Sequence, residues 1–375
     1  MSRVETGREA RSRVEPEVRR GIRDPRSAQN YADELQRLLQ EGVSAGLFSG
    51  AAAGVSTPVG RGVASAGTHA LDDPTPVTED SLFDLASLTK TFTAAAIVKL
   101  AQQGVLNLDD PVADVLPVGR GRGAERITLR MLLTHVSGLP AESFVWRDEA
   151  VPVDHRVQRV VASALESEPD TVFRYSCVGY ISAGAVAERI TGRSLDQLIR
   201  ELITEPLGIS SVAFGPVAAR LAVATEEKPW VGRGTVRGEV HDELNNYLGG
   251  KAGNAGLFAN APDVLSFAEA FLDGRLLNPT MLAEVTANGL RTSHGAGFGH
   301  GLGPRIDDPD FFGTAHGFGH IGFTGTLWFA DPRTGVAAAL LTNNVHPHRD
   351  HADLTPFRHR FMEWATSLAD AQTPR

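Results

Sequence analysis

Ser87 and Lys90 stand three residues apart in FDLASLTKTFTAAAIVKLAQQGVL, residues 83–106. A serine hydroxyl needs a nearby base before it can attack an acyl carbon, and a lysine amine serves once desolvation lowers its pKa. Small, helix-compatible residues follow at once, and Gly104 offers a stop. With a helix beginning near Ser87, Lys90 falls one turn later on the same face, about 4.5 Å along the axis. The chemistry expected is attack by Ser87 on an acyl group while Lys90 takes its proton. The same spacing also suits a serine N-cap followed by a solvated lysine. Lysine is scarce here, confined to Lys90, Lys99, Lys228 and Lys251, so abundance alone does not account for the pair.

The elements that must position this pair come from both ends of the chain. Residues 1–28 are rich in Arg and Glu and nearly devoid of apolar periodicity, which reads as a disordered or frayed tail. Leu35, Leu38 and Leu39 predict an amphipathic helix from Tyr31 to Gly42. Small and β-branched residues around T-P-V-G predict a hairpin over 47–68. After the Ser87 helix, residues 127–140 read as a short buried helix running into a glycine turn. His135 within it could be catalytic, although a core histidine bonded to backbone is the more economical reading. Residues 141–170, with Phe144, Trp146 and several prolines, read as a surface loop able to wall a site. Two helical stretches separated by Gly192 follow, then Gly-rich loops over 216–256 and helices over 262–274 and 279–288. TLWFADPRTGVAAALLTNNV predicts a closing hairpin, and Phe357, Phe361, Trp364 and Leu368 predict a last helix over 355–370. The fold class expected is α+β: one antiparallel sheet built from both chain ends, flanked by terminal helices, with a mostly helical lobe inserted. The expected domains are 29–85 plus 257–375 for the sheet and 86–256 for the helices, with the site at their junction.

Composition narrows the function. A net charge of −9 with 22% charged residues gives no basic surface for nucleic acid or an anionic membrane. The one cysteine, Cys177, rules out an internal disulfide framework. No apolar run approaches the roughly 18 residues that span a bilayer, and the Arg-rich N-terminus lacks the apolar segment of a secretory signal, so a cytoplasmic location is expected. Neither G-x-G-x-x-G nor a Walker sequence is present, and no cofactor is expected. His346-Pro-His-Arg-Asp-His351 has the spacing of a metal motif, but the remaining 24 residues hold only His359 to complete it. A polar turn after the last strand is the preferred reading, with no metal.

Three spaced motifs agree with one family. The sequence resembles the serine β-lactamase and penicillin-binding-protein-like superfamily, nearest in pattern to class C β-lactamases and their esterase, D-aminopeptidase and transacylase relatives. Ser87-Leu88-Thr89-Lys90 matches the first motif. Tyr175-Ser176-Cys177 falls where the family carries Tyr-x-Asn, and His320-Ile321-Gly322 falls where lactamases have Lys-Thr-Gly and many esterase-like members have His-x-Gly. LLTHVSGLP, HDE at 241–243 and AGLF at 255–258 are lesser matches, and the likeness runs from about residue 32 to 370. It implies a β-lactamase/transpeptidase-like fold in which Ser87 is acylated while Lys90 and Tyr175 share its proton. It also implies an oxyanion hole from the backbone N–H groups of Ser87 and Phe323, and substrate contacts at Cys177, His320, Ile321 and Gly322.

Two departures bear on substrate. Cys177 replaces an asparagine that would bond an acyl-amide, and a thiol is a weak donor and acceptor. His320 replaces a lysine and is mostly neutral near pH 7 unless its pKa is raised, so a fixed cation for a substrate carboxylate is missing. Both favour a small-molecule ester or other activated acyl donor over β-lactams and peptidoglycan. The function expected is a serine hydrolase of an ester or amide; the alternative is an acyltransferase passing the acyl group to an amine or alcohol. A non-catalytic binding domain is the third reading, disfavoured by intact Ser87, Lys90 and Tyr175. A nucleophilic role for Cys177 lacks a His–Asn arrangement beside it.

Overall fold

The computed structural model describes residues 25–147 and 150–370. Both expected hairpins form. The strands, in chain order, are β1 (Gly50–Ser56), β2 (Arg61–Gly67), β3 (Phe83–Asp84), β4 (Ala213–Phe214), β5 (Leu257–Ala259), β6 (Gly299–His300), β7 (Arg305–Ile306), β8 (Phe318–Gly322), β9 (Thr326–Asp331) and β10 (Val336–Thr342). Seven make one antiparallel sheet in the order β2-β1-β10-β9-β8-β7-β6, and β3-β5-β4 make a small second sheet. The first strands of the chain thus pair with the last, as Ala53 does with Leu340.

The central strands read as unbroken apolar runs because both faces of the sheet are covered. Along β9 and β10, Trp328, Ala330, Ala337, Ala339 and Leu341 join the core under the helical half of the protein. The alternate residues Leu327, Phe329, Val336, Ala338 and Leu340 join a second core beneath the terminal helices. Those are α1 (Pro25–Ser44) and the helix Thr355–Asp370. The first already covers residues 25–30, ahead of the start expected near Tyr31. Residues 1–24 of the expected tail lie outside the described residues.

The Ser87 helix, α2 (Thr89–Gln102), is buried on nearly all sides from Thr89 to Val98 and at Leu100, which explains its lack of a polar stripe. Phe92 stacks on Phe267 of the helix Ala261–Leu272 at 3.9 Å. Trp328 fixes the sheet to α2, donating from its indole N–H to Thr91 Oγ1 at 3.0 Å while stacking on Phe271 at 5.1 Å. Trp328→Ala should therefore lower unfolding free energy by about 3–5 kcal/mol, read from urea denaturation with unchanged m-value.

Two stretches differ from expectation. The 141–170 loop contains a helix, Val153–Val161, whose buried Val160 and Val161 anchor it despite the surrounding prolines. The sheet also gains β7 and, at its edge, β6, each of two residues and too short for any alternation to show.

Candidate active site

Ser87 lies in a 3₁₀ turn, Ala86–Leu88, that leads directly into α2. Ala86 before it adopts φ +46°, a left-handed conformation that costs a non-glycine residue about 1 kcal/mol. The turn is tied down from several sides. Buried Asp84 accepts from the Ala86 N–H at 2.7 Å and from the His241 N–H at 2.6 Å. Thr324 and Thr326, beyond β8, donate their hydroxyls to the carbonyls of Asp84 and Leu85. The strain is thus held by two other segments, and it aims the Ser87 hydroxyl at a cavity of about 370 Å³.

Lys90 is fully buried. Its ammonium nitrogen lies 3.0 Å from Ser87 Oγ, 3.0 Å from the Asn254 carbonyl and 3.5 Å from Cys177 Sγ. The Tyr175 hydroxyl faces both Ser87 and Lys90, and Lys90 Nζ sits 4.9 Å from the tyrosine ring centroid. Burial pulls the Lys90 ammonium down, while ionised Cys177 and Tyr175 pull it up and dominate whenever they carry charge. Burial opposes that charge. It pushes the Cys177 thiol up to about 12 and raises the Tyr175 phenol, in each case against the attraction of Lys90. Near neutral pH both groups are therefore protonated, which removes the two largest contributions that raise Lys90 and leaves burial opposed by the smaller pull of Asp242. The same burial leaves Cys177 a thiol facing Glu142, and so a poor nucleophile.

The remaining expected residues occupy β8 and its end. Phe323 is exposed and lines the cavity beside Ser87. His320, Ile321 and Gly322 do not line it. His320 is 1% exposed and bonds the Ile321 carbonyl through Nδ1 at 2.6 Å. Burial, with Lys90 and Arg305 adding to it, holds its imidazole neutral. Ile321 packs toward the terminal-helix core. Gly322 lies against the Ser87 turn, where an added Cβ would fall 2.5 Å from the Leu85 carbonyl. His135 is buried, accepts the Ser176 N–H at Nδ1 and lies with its ring tilted against Tyr175 at 4.6 Å. It is a core histidine that touches the site's tyrosine.

Phe144 and Trp146 of the 141–170 stretch wall the cavity, as that stretch was expected to, and Asp242 and Glu243 of the HDE match line it too. Glu142, Arg147, Trp230 and Arg349 also line it and escaped sequence reasoning. Its floor rests on a buried ionic network in which Lys228 donates to Glu243 at 2.9 Å and to the His241 carbonyl at 2.6 Å. Arg349 meets Glu226 at 2.7 Å and Glu243 at 2.9 Å, and so brings a cation to the cavity wall, already ion-paired. For this ionic network, the HDE match at 241–243 was the one signal in the sequence. Two histidines of the 346–351 motif go to backbone bonds: His346 to the Thr225 carbonyl and the Leu71 N–H, and His351 to the Gly46 carbonyl. Among the described residues no group of three His, Cys, Asp or Glu side chains is placed to hold a metal ion.

With this geometry, comparison with known proteins is decisive on family. The Beta-lactamase family model matches residues 35–362. The chain belongs to the β-lactamase family. Within the family it is 30% identical over 317 residues to a putative D-alanyl-D-alanine carboxypeptidase of Escherichia coli, covering 75% of this chain and 73% of that protein. It is 28% identical over 316 residues to an N-acetylmuramyl-L-alanine amidase of Bacillus subtilis, covering 75% and 72%. The fold is shared with EstCE1, a hydrolase with promiscuous acyltransferase activity, at a TM-score of 0.74 and 20% identity, over 90% of this chain and 99% of that one. It is likewise shared with the D-amino acid amidase of Ochrobactrum anthropi, at a TM-score of 0.72 and 22% identity, over 92% and 100%. The expected β-lactamase/transpeptidase-like α+β fold is therefore present, and the family is one of serine hydrolases. Among the described residues no helix is long and apolar enough to cross a membrane.

Proposed function

We propose that the protein is a serine-dependent acyl-enzyme hydrolase acting on an ester or amide of a small molecule. The observation that carries this reading is the 3.0 Å contact between Ser87 Oγ and the ammonium nitrogen of a wholly buried Lys90, at the floor of an open cavity. In this mechanism Ser87 Oγ attacks the acyl carbon while its proton passes to the Lys90 and Tyr175 pair. That pair then delivers the proton to the leaving oxygen or nitrogen, and water releases the acid from the acyl-enzyme. The backbone N–H groups of Ser87 and Phe323 are assigned to the developing oxyanion, a contribution of several kcal/mol in such sites. No metal or cofactor takes part in this reading.

Acyl transfer to an amine or alcohol is the second reading. It is favoured by an aromatic cavity wall of Phe144, Trp146, Trp230 and Phe323, which gives an organic acceptor something to compete with water for, and by fold similarity to a hydrolase with promiscuous acyltransferase activity. The substrate departures stand beside both: Cys177 faces Glu142 and accepts from Lys90, and His320 is neutral. Each favours an activated ester over a β-lactam. Turnover of p-nitrophenyl acetate with and without a mixture of primary amines tests the choice. Acid as the dominant product under both conditions is the expected result; amide forming faster than acid would make transfer the function, and no turnover of any acyl donor would remove both.

A further inference from the structure

Tyr175 packs against a buried group of three imidazoles and one guanidinium that the acyl-transfer steps above leave without a role. Its ring centroid lies 4.6 Å from that of His135 and 5.9 Å from that of His320, and His135 lies 5.0 Å from His300. All three histidines are at most 1% exposed. His135 Nδ1 accepts the Ser176 N–H, so its proton sits on Nε2. In His300 and His320, Nδ1 instead faces the carbonyl of the following residue and donates to it, which leaves a lone pair on Nε2. None of these Nε2 atoms has a partner among the described residues, and neither has Nε of Arg305.

Arg305 stands on β7 directly across from Gly319 of β8, one residue from His320. Its guanidinium carbon lies 5.8 Å from the Tyr175 ring centroid, under the rings of Phe298 at 3.9 Å, Phe311 at 4.7 Å and Phe173 at 5.1 Å. Asp308, 1% exposed, holds it through a 2.7 Å ion pair to Nη1. A phenolate at Tyr175, formed as protons move through the site, needs positive charge nearby in so dry a place. The imidazoles do not supply it. Burial keeps His135 and His320 well below the usual histidine range and brings His300 down to about 3. A guanidinium stays charged throughout the working range.

From this packing we infer that Arg305 is a positioning residue for proton transfer at Tyr175, the fixed cation that stabilises the tyrosine as phenolate, with Asp308 holding it in place. This rests on the acyl-enzyme reading for its role in turnover, but not for its effect on the tyrosine. The other groups facing Tyr175 are Ser87 from the turn before α2, Lys90 from α2, Cys177 and Tyr180 from the helix Cys177–Thr191, His135, and His320 of β8. Arg305 itself faces Asp308 and Asp310.

The test compares three variants. Arg305→Met with Asp308→Asn removes both charges, so no carboxylate is stranded, and the amide oxygen can still accept the Asp310 N–H that Asp308 Oδ1 accepts at 3.0 Å. Arg305→Lys keeps the charge, and Asp308→Asn alone leaves the guanidinium unneutralised. In kcat/KM for p-nitrophenyl acetate, the acidic limb should move up by about one pH unit in the double variant, because the phenol becomes harder to ionise. It should stay in place with Arg305→Lys and move down with Asp308→Asn. A uniform rate loss with an unmoved limb would overturn the inference, as would a lysine variant behaving like the double one. Should the double variant not fold, an unmoved limb in Asp308→Asn does the same. Nuclear magnetic resonance of 13Cζ-tyrosine gives a readout independent of turnover, since the chain has four tyrosines and Tyr175→Phe assigns the signal. A higher titration midpoint for Tyr175 in the double variant supports the inference even if Ser87 proves never to be acylated; an unchanged midpoint overturns it.

Discussion

Ser87→Ala is expected to reduce turnover of p-nitrophenyl acetate by at least about 10⁴-fold while leaving the melting temperature nearly unchanged. The size of the effect follows from the division of labour in the site. The hydroxyl forms the bond, and the oxyanion donors and the cavity supply only the residual rate that remains without it. The fold should tolerate the change because Ser87 is only half-buried and the strained turn is held by Asp84, Thr324 and Thr326 rather than by the serine side chain. Turnover within tenfold of the unaltered protein would place the nucleophile elsewhere.

Lys90→Met is the second large effect. Acylation should fall by about 10²–10⁴-fold, the usual contribution of a positioned base, so the burst of p-nitrophenol on mixing disappears. Stability should change by no more than about 2 kcal/mol, because two terms oppose each other. The Asn254 carbonyl loses its donor, but the core no longer has to bury an amine. A normal burst would remove Lys90 from the mechanism, and a variant that unfolds at room temperature would make its role structural. The combination of lost chemistry and retained fold is what distinguishes a base from a buried structural cation such as Lys228, whose bonds to Glu243 and His241 hold loops together.

The parts of this protein legible in its sequence are those that local chemistry decides. The T-P-V-G and P-R-T-G turns sit between apolar runs, and both hairpins form. Gly192 ends the helix Cys177–Thr191 in a left-handed cap at φ 67°, as its place between two helical stretches predicts. The Ser87–Lys90 pair was legible because three residues in a helical turn need no tertiary information to meet. Tyr175 was reached only through the family resemblance, since nothing local brings residue 175 to residue 87. The rest required the fold. Strands β6 and β7 are held by pairing rather than by pattern, and the helix Val153–Val161 is held by burial in a proline-punctuated stretch. Arg305 looks like one arginine among many until β7 is laid beside β8, and Glu142, Trp230 and Arg349 reach one cavity from three distant segments. His320 shows the limit in the other direction. Its position marked it as a substrate contact, whereas the structure buries it in its own strand, neutral and away from the cavity wall.

The central claim is that an acyl group becomes bonded to Ser87. Intact-mass spectrometry of acid-quenched protein after brief exposure to a panel of p-nitrophenyl acyl esters, followed by peptide mapping, reads it directly. A single acyl increment is expected on the peptide bearing Ser87, and none in Ser87→Ala. An increment of the same size on Cys177 or any other residue, persisting in Ser87→Ala, would contradict it.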